Sequence, residues 1–516
     1  MANAAGPDGY RIATPRQRPP LVLVTWAAAV AIVLVAPIAW LVRRATEHGA
    51  GAFVDTLWRD RTLVLAIRSM SLAAAVTLAS VVIGIAAAWL VARSDLIGRR
   101  TWSVALGLPL ALPSYVTAWG WIGWRNELAG FGGAFVVLTT ISYPYVYLPV
   151  LGALRRVDPA VEEVARSLGR RPVVVFLTVT LPQLRVAITG GALLVGLYVL
   201  SDFGAVSIMR YEALTHVIYR SYRSSFDRTP AAVLGLVLVA IALVVVLLSV
   251  RTQHRADRVG SGAVRPQPLV HLGVWRWPLT LAVAVMLGLT FGVPARTASL
   301  WVHRGRSSAD WGDLVDAAVT TLWIGALAAA ITVVVALPLG LLSARYPGRL
   351  ARGTTALAYA AHSLPGIVLA LSLVFFGVRV ATPLYQRTPM LLFAYLVLFL
   401  SLALGAVHHA ISQTPPLLDD IARSLGRSQH QAWLAVTMRA AAPGVAVAAA
   451  MVCLAVMKEL PATLLLRPIG TETLATKLWS HTDAASYAAA APYAAAILVV
   501  AAIPTAVLSA VSAMKS

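Results

Sequence analysis

The chain has 516 residues, 59% of them hydrophobic and only 12% charged, with a net charge of +21. Soluble domains carry about 25% charged residues, so most of this chain is built for an apolar solvent, and its arginines are scattered through short loops rather than gathered into a nucleic-acid-binding face. Cys453 is the only cysteine, which excludes an intrachain disulfide and a CxxC metal or redox site.

A helix that crosses about 30 Å of hydrocarbon needs about 20 mostly apolar residues. Stretches free of Asp, Glu, Lys and Arg run, in chain order, over 19–42, 69–92, 101–124, 128–154, 186–201, 229–250, 277–295, 317–344, 353–378, 388–407, 440–457 and 484–514. Their continuous apolarity excludes the alternating pattern of barrel strands, which leaves helices as the spanning form. The expectation is an all-α polytopic membrane protein of about twelve transmembrane helices. The first interval follows Arg11, Arg16 and Arg18 and ends in Leu41-Val42-Arg43-Arg44 without a small-residue cleavage site. It reads as a retained helix rather than a signal peptide. A modest excess of Lys and Arg in the segments facing inward puts both termini in the cytoplasm.

Between the sixth and seventh intervals lies a polar stretch, Arg251 to Arg276, with Gly260-Ser261-Gly262 and two prolines. It reads as a linker that divides the spans six and six. The expected organisation is an N-terminal tail and first helix to residue 60, a first transmembrane domain over 61–251, a linker over 252–276, a seventh helix and external loop over 277–314, and a second domain over 315–516. The halves repeat. Glu162-Glu163-Val164-Ala165-Arg166-Ser167-Leu168-Gly169-Arg170 returns 257 residues later as Asp419-Asp420-Ile421-Ala422-Arg423-Ser424-Leu425-Gly426-Arg427. Each copy lies between the fourth and fifth span of its half. An even number of spans per half makes this a parallel repeat. Leu108-Pro109 and Leu112-Pro113 in the third interval are matched by Leu364-Pro365-Gly366 in the ninth, and Asp202 by Glu459.

Each copy predicts a short helix. Val161, Val164, Ala165 and Leu168, and likewise Leu418, Ile421, Ala422 and Leu425, fall at i, i+3, i+4 and i+7 on one apolar stripe. The acidic pair occupies the first turn, where the helix dipole favours negative charge. Gly169 and Gly426 stand where a left-handed cap ends a helix. One such helix would suit a lipid surface equally well. Two near-identical copies at symmetric places suit docking onto a partner made of two equal subunits.

This segment resembles the EAA loop of bacterial ABC importer permeases, with Glu163, Ala165, Gly169, Val179, Leu181 and Pro182 at that pattern's spacing. The second copy places Asp420, Ala422, Gly426, Val436 and Met438, but Arg439 stands where proline is expected. The resemblance covers nearly the whole chain from about residue 60. Fusion of two halves, Asp202-Phe203-Gly204-Ala205-Val206-Ser207, Ser225-Phe226-Asp227-Arg228-Thr229-Pro230 and Lys458-Glu459-Leu460-Pro461-Ala462-Thr463 resemble the iron(III) importer permeases in particular; relatives for thiamine, phosphonates and polyamines share the architecture. The resemblance implies a type I importer fold and a non-catalytic subunit without a cofactor. It implies coupling through Glu163, Ala165, Gly169, Leu181, Pro182, Asp420, Ala422 and Gly426 to a separate ATPase dimer that binds the ATP. It also implies an extracytoplasmic substrate-binding protein and residence among the lipids of the inner membrane.

The sequence itself lacks the Gly-Lys-Ser/Thr loop of an ATPase, since none of its three lysines, Lys458, Lys477 and Lys515, follows glycine. Asp202 and Glu459, with Tyr198 one turn before Asp202, are the candidate substrate contacts, because iron(III) prefers hard oxygen ligands. The alternative is that both acids are interface charges paired with Arg210 and Arg467. No ligand set for a resident metal is legible. A six-plus-six secondary transporter would need ionisable residues at mid-span, and the intervals offer none except near Asp202.

Overall fold

The computed structural model describes residues 19–47, 49–224, 227–253, 269–303 and 310–500. Apart from one isolated bridge, Ser94 to Val270, the regular structure among these residues is helical. The helices used below are α1 (Leu21–Ala45), α2 (Asp60–Arg93), α3 (Ser114–Trp124), α4 (Phe131–Leu154), α5 (Pro159–Ser167), α6 (Arg185–Ser201), α7 (Thr229–Gln253), α8 (Gly273–His303), α9 (Trp311–Arg345), α10 (Gly366–Arg379), α11 (Thr388–Ser412), α12 (Pro416–Ser424), α13 (Gln429–Lys458) and α14 (Tyr487–Val500).

Among the described residues, eight helices are long and apolar enough to cross a membrane unbroken, and two more spans form if each bent pair is counted as one. Two expected spans differ. The interval 101–124 is not one rod: a short helix, Arg99–Ala105, and a 3₁₀ turn, Leu108–Ala111, precede α3. Pro109 and Pro113 remove backbone donors and disfavour helix in the residues before them. The ninth interval breaks likewise, Arg349–His362 meeting α10 at 100° across Ser363-Leu364-Pro365. The twelfth interval begins in α14 and continues outside the described residues, as does most of the expected linker.

Each half is organised on the same triangle. In the first, α2, α4 and α6 pack mutually; in the second, α9, α11 and α13 do. Glycine sets the approach between them, as small residues do where helices associate in lipid. A methyl group at Gly84 of α2 would meet Val146 of α4 at 2.8 Å, and one at Gly340 of α9 would meet Val407 of α11 at 2.5 Å. The flanking helices cross over. α1 packs on α10 and α9 of the second half, where the Trp26 indole donates to the Val335 carbonyl at 3.2 Å and Ser372 bonds the Pro37 carbonyl. α8 packs on α3 of the first half, where Thr297 Oγ1 donates to the Gly120 carbonyl at 2.9 Å. Each half thus completes its packing with a helix from the other side of the linker.

Candidate functional site: twin surface helices and the layer between the halves

α5 starts at Asp158, whose carboxylate accepts the Ala160 amide at 3.0 Å, and Pro159 occupies the first turn. It ends in a Schellman motif: the Gly169 amide donates to the Arg166 carbonyl and the Arg170 amide to the Ala165 carbonyl, with Gly169 at φ +79°. α12 ends identically through Gly426, at φ +88°, with Gly426 bonded to Arg423 and Arg427 to Ala422. Both caps are therefore where the sequence put them.

The orientation of the two helices was not legible. Ala165 and Ala422 face inward, but the rest of the predicted stripe turns outward. Leu168 and Leu425 are 75% and 79% exposed, and Val161, Val164, Leu418 and Ile421 are exposed as well. The face turned to the bundle carries an acid. Glu162 is buried, and its carboxylate pairs with Arg93 at the end of α2 at 3.0 Å, accepts the Thr180 hydroxyl at 2.8 Å and lies 3.6 Å from Arg166. In the second half, Asp419 pairs with Arg345 at the end of α9 at 3.3 Å and accepts the Thr437 hydroxyl at 2.7 Å. The first acid of each pair is thus the internal one. Glu163 and Asp420, matched to the EAA pattern, are exposed; Asp420 pairs with Arg423 at 3.6 Å, and Glu163 has no ion pair among the described residues.

Behind each surface helix the chain enters a π-turn, Phe176–Thr180 in the first half and Trp433–Met438 in the second, and each turn holds the threonine that bonds the acid. Such turns recur at functional sites. Here the halves diverge. Leu181 is half-buried, exposed Pro182 follows it, and the segment Pro172–Gln183 meets α6 at 69°. Arg439 replaces proline in the second half, and α13 runs unbroken. Arg439 instead lines an open cleft of about 680 Å³ with Arg427 and Gln431.

A second matched feature lies between the halves. Asp202 is buried and caps a short helix, accepting the Ala205 amide at 2.8 Å; Glu459 accepts the Ala462 amide at 2.8 Å in the same way. Each carboxylate also meets the start of a broken span. Ser114, first residue of α3, lies close to both Asp202 and Tyr198, while Glu459 lies against Gly366, first residue of α10. The two acids lie within electrostatic range of each other. Contacts across the halves join in this layer: Lys458 Nζ donates to the Leu110 carbonyl at 2.7 Å, Tyr115 Oη donates to the Met457 carbonyl at 3.4 Å, and Trp479 packs against both Phe203 and Tyr219. The expected alternative pairing does not occur. Arg467 pairs with Glu472, and Arg210 reaches the Tyr487 hydroxyl at 3.4 Å. Among the described residues no cluster of three or more His, Cys, Asp or Glu is arranged to hold a metal ion.

Known proteins share both the length and the duplication. The family profile described as "Binding-protein-dependent transport system inner membrane component" matches residues 80–258 and again 336–513. An Fe(3+)-transport system permease protein of Haemophilus influenzae is 35% identical over 494 residues, covering 95% of this chain and 98% of its own. Half-length relatives match as well. A sulfate transport system permease protein of Synechocystis is 27% identical over 43% of this chain and 90% of its own, and a molybdenum transport system permease protein of Mycobacterium bovis is 32% identical over 44% and 94%. With the profile matched once in each half and a relative aligned almost end to end, the chain belongs to the binding-protein-dependent inner-membrane transport components: it is a multi-pass permease of an ABC importer, a transport subunit rather than an enzyme.

Proposed function

We propose that this permease carries iron(III), and that α5 and α12 are the seats of a two-fold ATPase partner. The observation that carries the docking reading is the inverted amphipathicity of the two helices. A surface helix covering a bundle turns its apolar stripe inward. These turn an acid inward and leave leucine, valine and isoleucine outside, twice, at one spacing. Glu163, Asp420 and the αL glycines complete each exposed face, with Leu181 and Pro182 behind the first. The 61–251 and 315–516 units then act as the two permease domains. The exposed arginines beside this face, Arg155, Arg156, Arg170, Arg171 and Arg427, support a cytoplasmic location for it and for both termini. The substrate-binding protein then meets the opposite face.

Iron(III) is supported by the end-to-end match to the Haemophilus permease. The composition of the layer between the halves supports it: Asp202, Glu459 and Tyr198 offer carboxylate and phenol oxygens, which suit a hard cation better than sulfate or molybdate. Labelled uptake in a deletion strain tests the cargo. Loss of Fe(III) uptake with sulfate and molybdate uptake intact is expected; intact Fe(III) uptake with loss of either oxyanion would overturn the assignment.

A further inference from the structure

The ion pairs behind the two surface helices have a geometry that docking alone does not require. Each joins three separate segments at one point. Glu162 on α5 holds Arg93, the last residue of α2, and Thr180, in the π-turn leading to α6. Asp419 on α12 holds Arg345, the last residue of α9, and Thr437, in the π-turn within α13. The acids and threonines recur at one spacing of 257 residues, and both arginines end the longest helices of their halves. Arg93 and Glu162 are both buried, as are Thr180 and Thr437, so in the first half the pair is shielded from water on both sides. Removing one member would strand the other charge, which makes such a pair costly to break.

α2 and α9 contain 34 and 35 residues. At 1.5 Å per residue each is about 50 Å long, a rod that reaches the opposite face of the molecule. A docking helix joined only by flexible loops could follow its partner without moving these rods. We propose that Arg93–Glu162–Thr180 and Arg345–Asp419–Thr437 are matched force-transmitting clamps: each makes a docking helix move as one body with the end of a long span and with the hinge behind it. These six side chains are positioning residues; none lies on the exposed docking face. The inference rests on the docking reading above, and its test separates the two.

The test uses the full chain purified with its co-encoded ATPase, carrying Cys453→Ala and spin labels at two pairs of sites. Labels at Ser167→Cys and Ser424→Cys report the docking helices, and labels at Asp60→Cys and Trp311→Cys report the far ends of α2 and α9. ATP with vanadate is the probe, so no transported solute is needed. In the parent protein both label distances should change. In Glu162→Gln with Asp419→Asn, the ATPase should stay bound and the docking pair should still respond, while the change at the far pair falls by at least half. Thr180→Val with Thr437→Val, a milder change, should give the same split to a smaller extent. Exchanging charges in the first half, Arg93→Glu with Glu162→Arg, should restore the far response relative to either single change. An undiminished far response in the carboxamide and valine variants would overturn the clamp and leave docking standing. Release of the ATPase by these variants, with no release by Leu168→Ser and Leu425→Ser, would overturn both, since the acids rather than the exposed stripe would then be the seat.

Discussion

Gly169 and Gly426 allow backbone strain to be separated from partner contact. Both residues hold φ near +80° to +90°, and nothing in the chain lies within 4 Å of a β-carbon built at either position. Alanine there meets no steric obstacle inside the molecule. It incurs only the left-handed backbone cost, about 1–2 kcal/mol per site. Asparagine tolerates this conformation far better, so in the isolated permease stability should fall in the order Gly, Asn, Ala, with steps of about 1 kcal/mol. For ATPase retention, Asn and Ala should exchange places. The open space above each glycine is where the docking reading seats the partner, and the asparagine amide would project into it while the alanine methyl barely does. Double Gly→Ala should therefore weaken ATPase retention about tenfold at most, the equivalent of about 1.4 kcal/mol per decade, and double Gly→Asn should weaken it more. The measurements are thermal unfolding of the permease alone and titration of the tagged permease with purified ATPase. If retention follows the stability order, with Asn tolerated better than Ala, the space above the glycines is empty in the complex and the docking face is wrongly placed.

Leu168→Ser with Leu425→Ser should leave the unfolding temperature of the isolated chain unchanged, because both side chains are exposed, and should lower ATPase affinity 10- to 100-fold per site, the worth of burying a leucine at about 1.5–3 kcal/mol. Gly120→Ala should loosen α8 from α3 and destabilise the bundle by about 1–3 kcal/mol, since the added methyl would meet the Pro294 α-carbon at 2.5 Å; thermal unfolding reads this directly. Just after α2, Asp95 accepts the amide of Leu272, the residue before α8, at 2.9 Å and faces His271, and these bonds hold its carboxyl below the usual carboxylate range. A lowered folded value means the tether is fully present above about pH 4 and is lost as pH falls through that lowered value. Hydrogen exchange at 269–272 should accelerate only there, and Asp95→Asn should remove the pH dependence.

The elements were legible because membrane spans, proline breaks and glycine caps are local properties of the chain. The two ARSLGR copies announced capped helices, and both caps formed. What sequence could not settle was rotation about the helix axis. Adjacent acids, Glu162-Glu163 and Asp419-Asp420, are chemically alike, and an apolar stripe that contains both alanine and leucine does not say which of them faces the bundle. The arginines decide it. Arg93 and Arg345 each end a long apolar run, and a buried guanidinium at such a point needs a carboxylate within reach. That signal was available but became specific only once α2 and α9 were placed beside the helices they hold. The cross-packing of α1 and α8 had no local signature, because lipid-facing and helix-facing surfaces are equally apolar. The breaks at Pro113 and Pro365 hid inside intervals that satisfy every length and hydropathy test for a single span.

The same pairing of likeness and difference bears on how the two halves work together. Both carry an acid bound to arginine and threonine and a π-turn, so on the docking reading both receive the same push from a symmetric partner. Only the first has Pro182 and a 69° bend between the π-turn and its span; the second passes from π-turn to span through Arg439 without a break. A push on a continuous helix moves its far end directly, whereas a push on a bent segment is divided between translation and flexing at the bend. Lys458 and Glu459 stand at the far end of the continuous arm, and Asp202 at the far end of the bent one. On the docking reading, an identical stroke at α5 and α12 would therefore arrive unequally at the two sides of this layer. A layer gripped by hydrogen bonds across both halves opens with less opposition when one side moves first than when all of its contacts must break together.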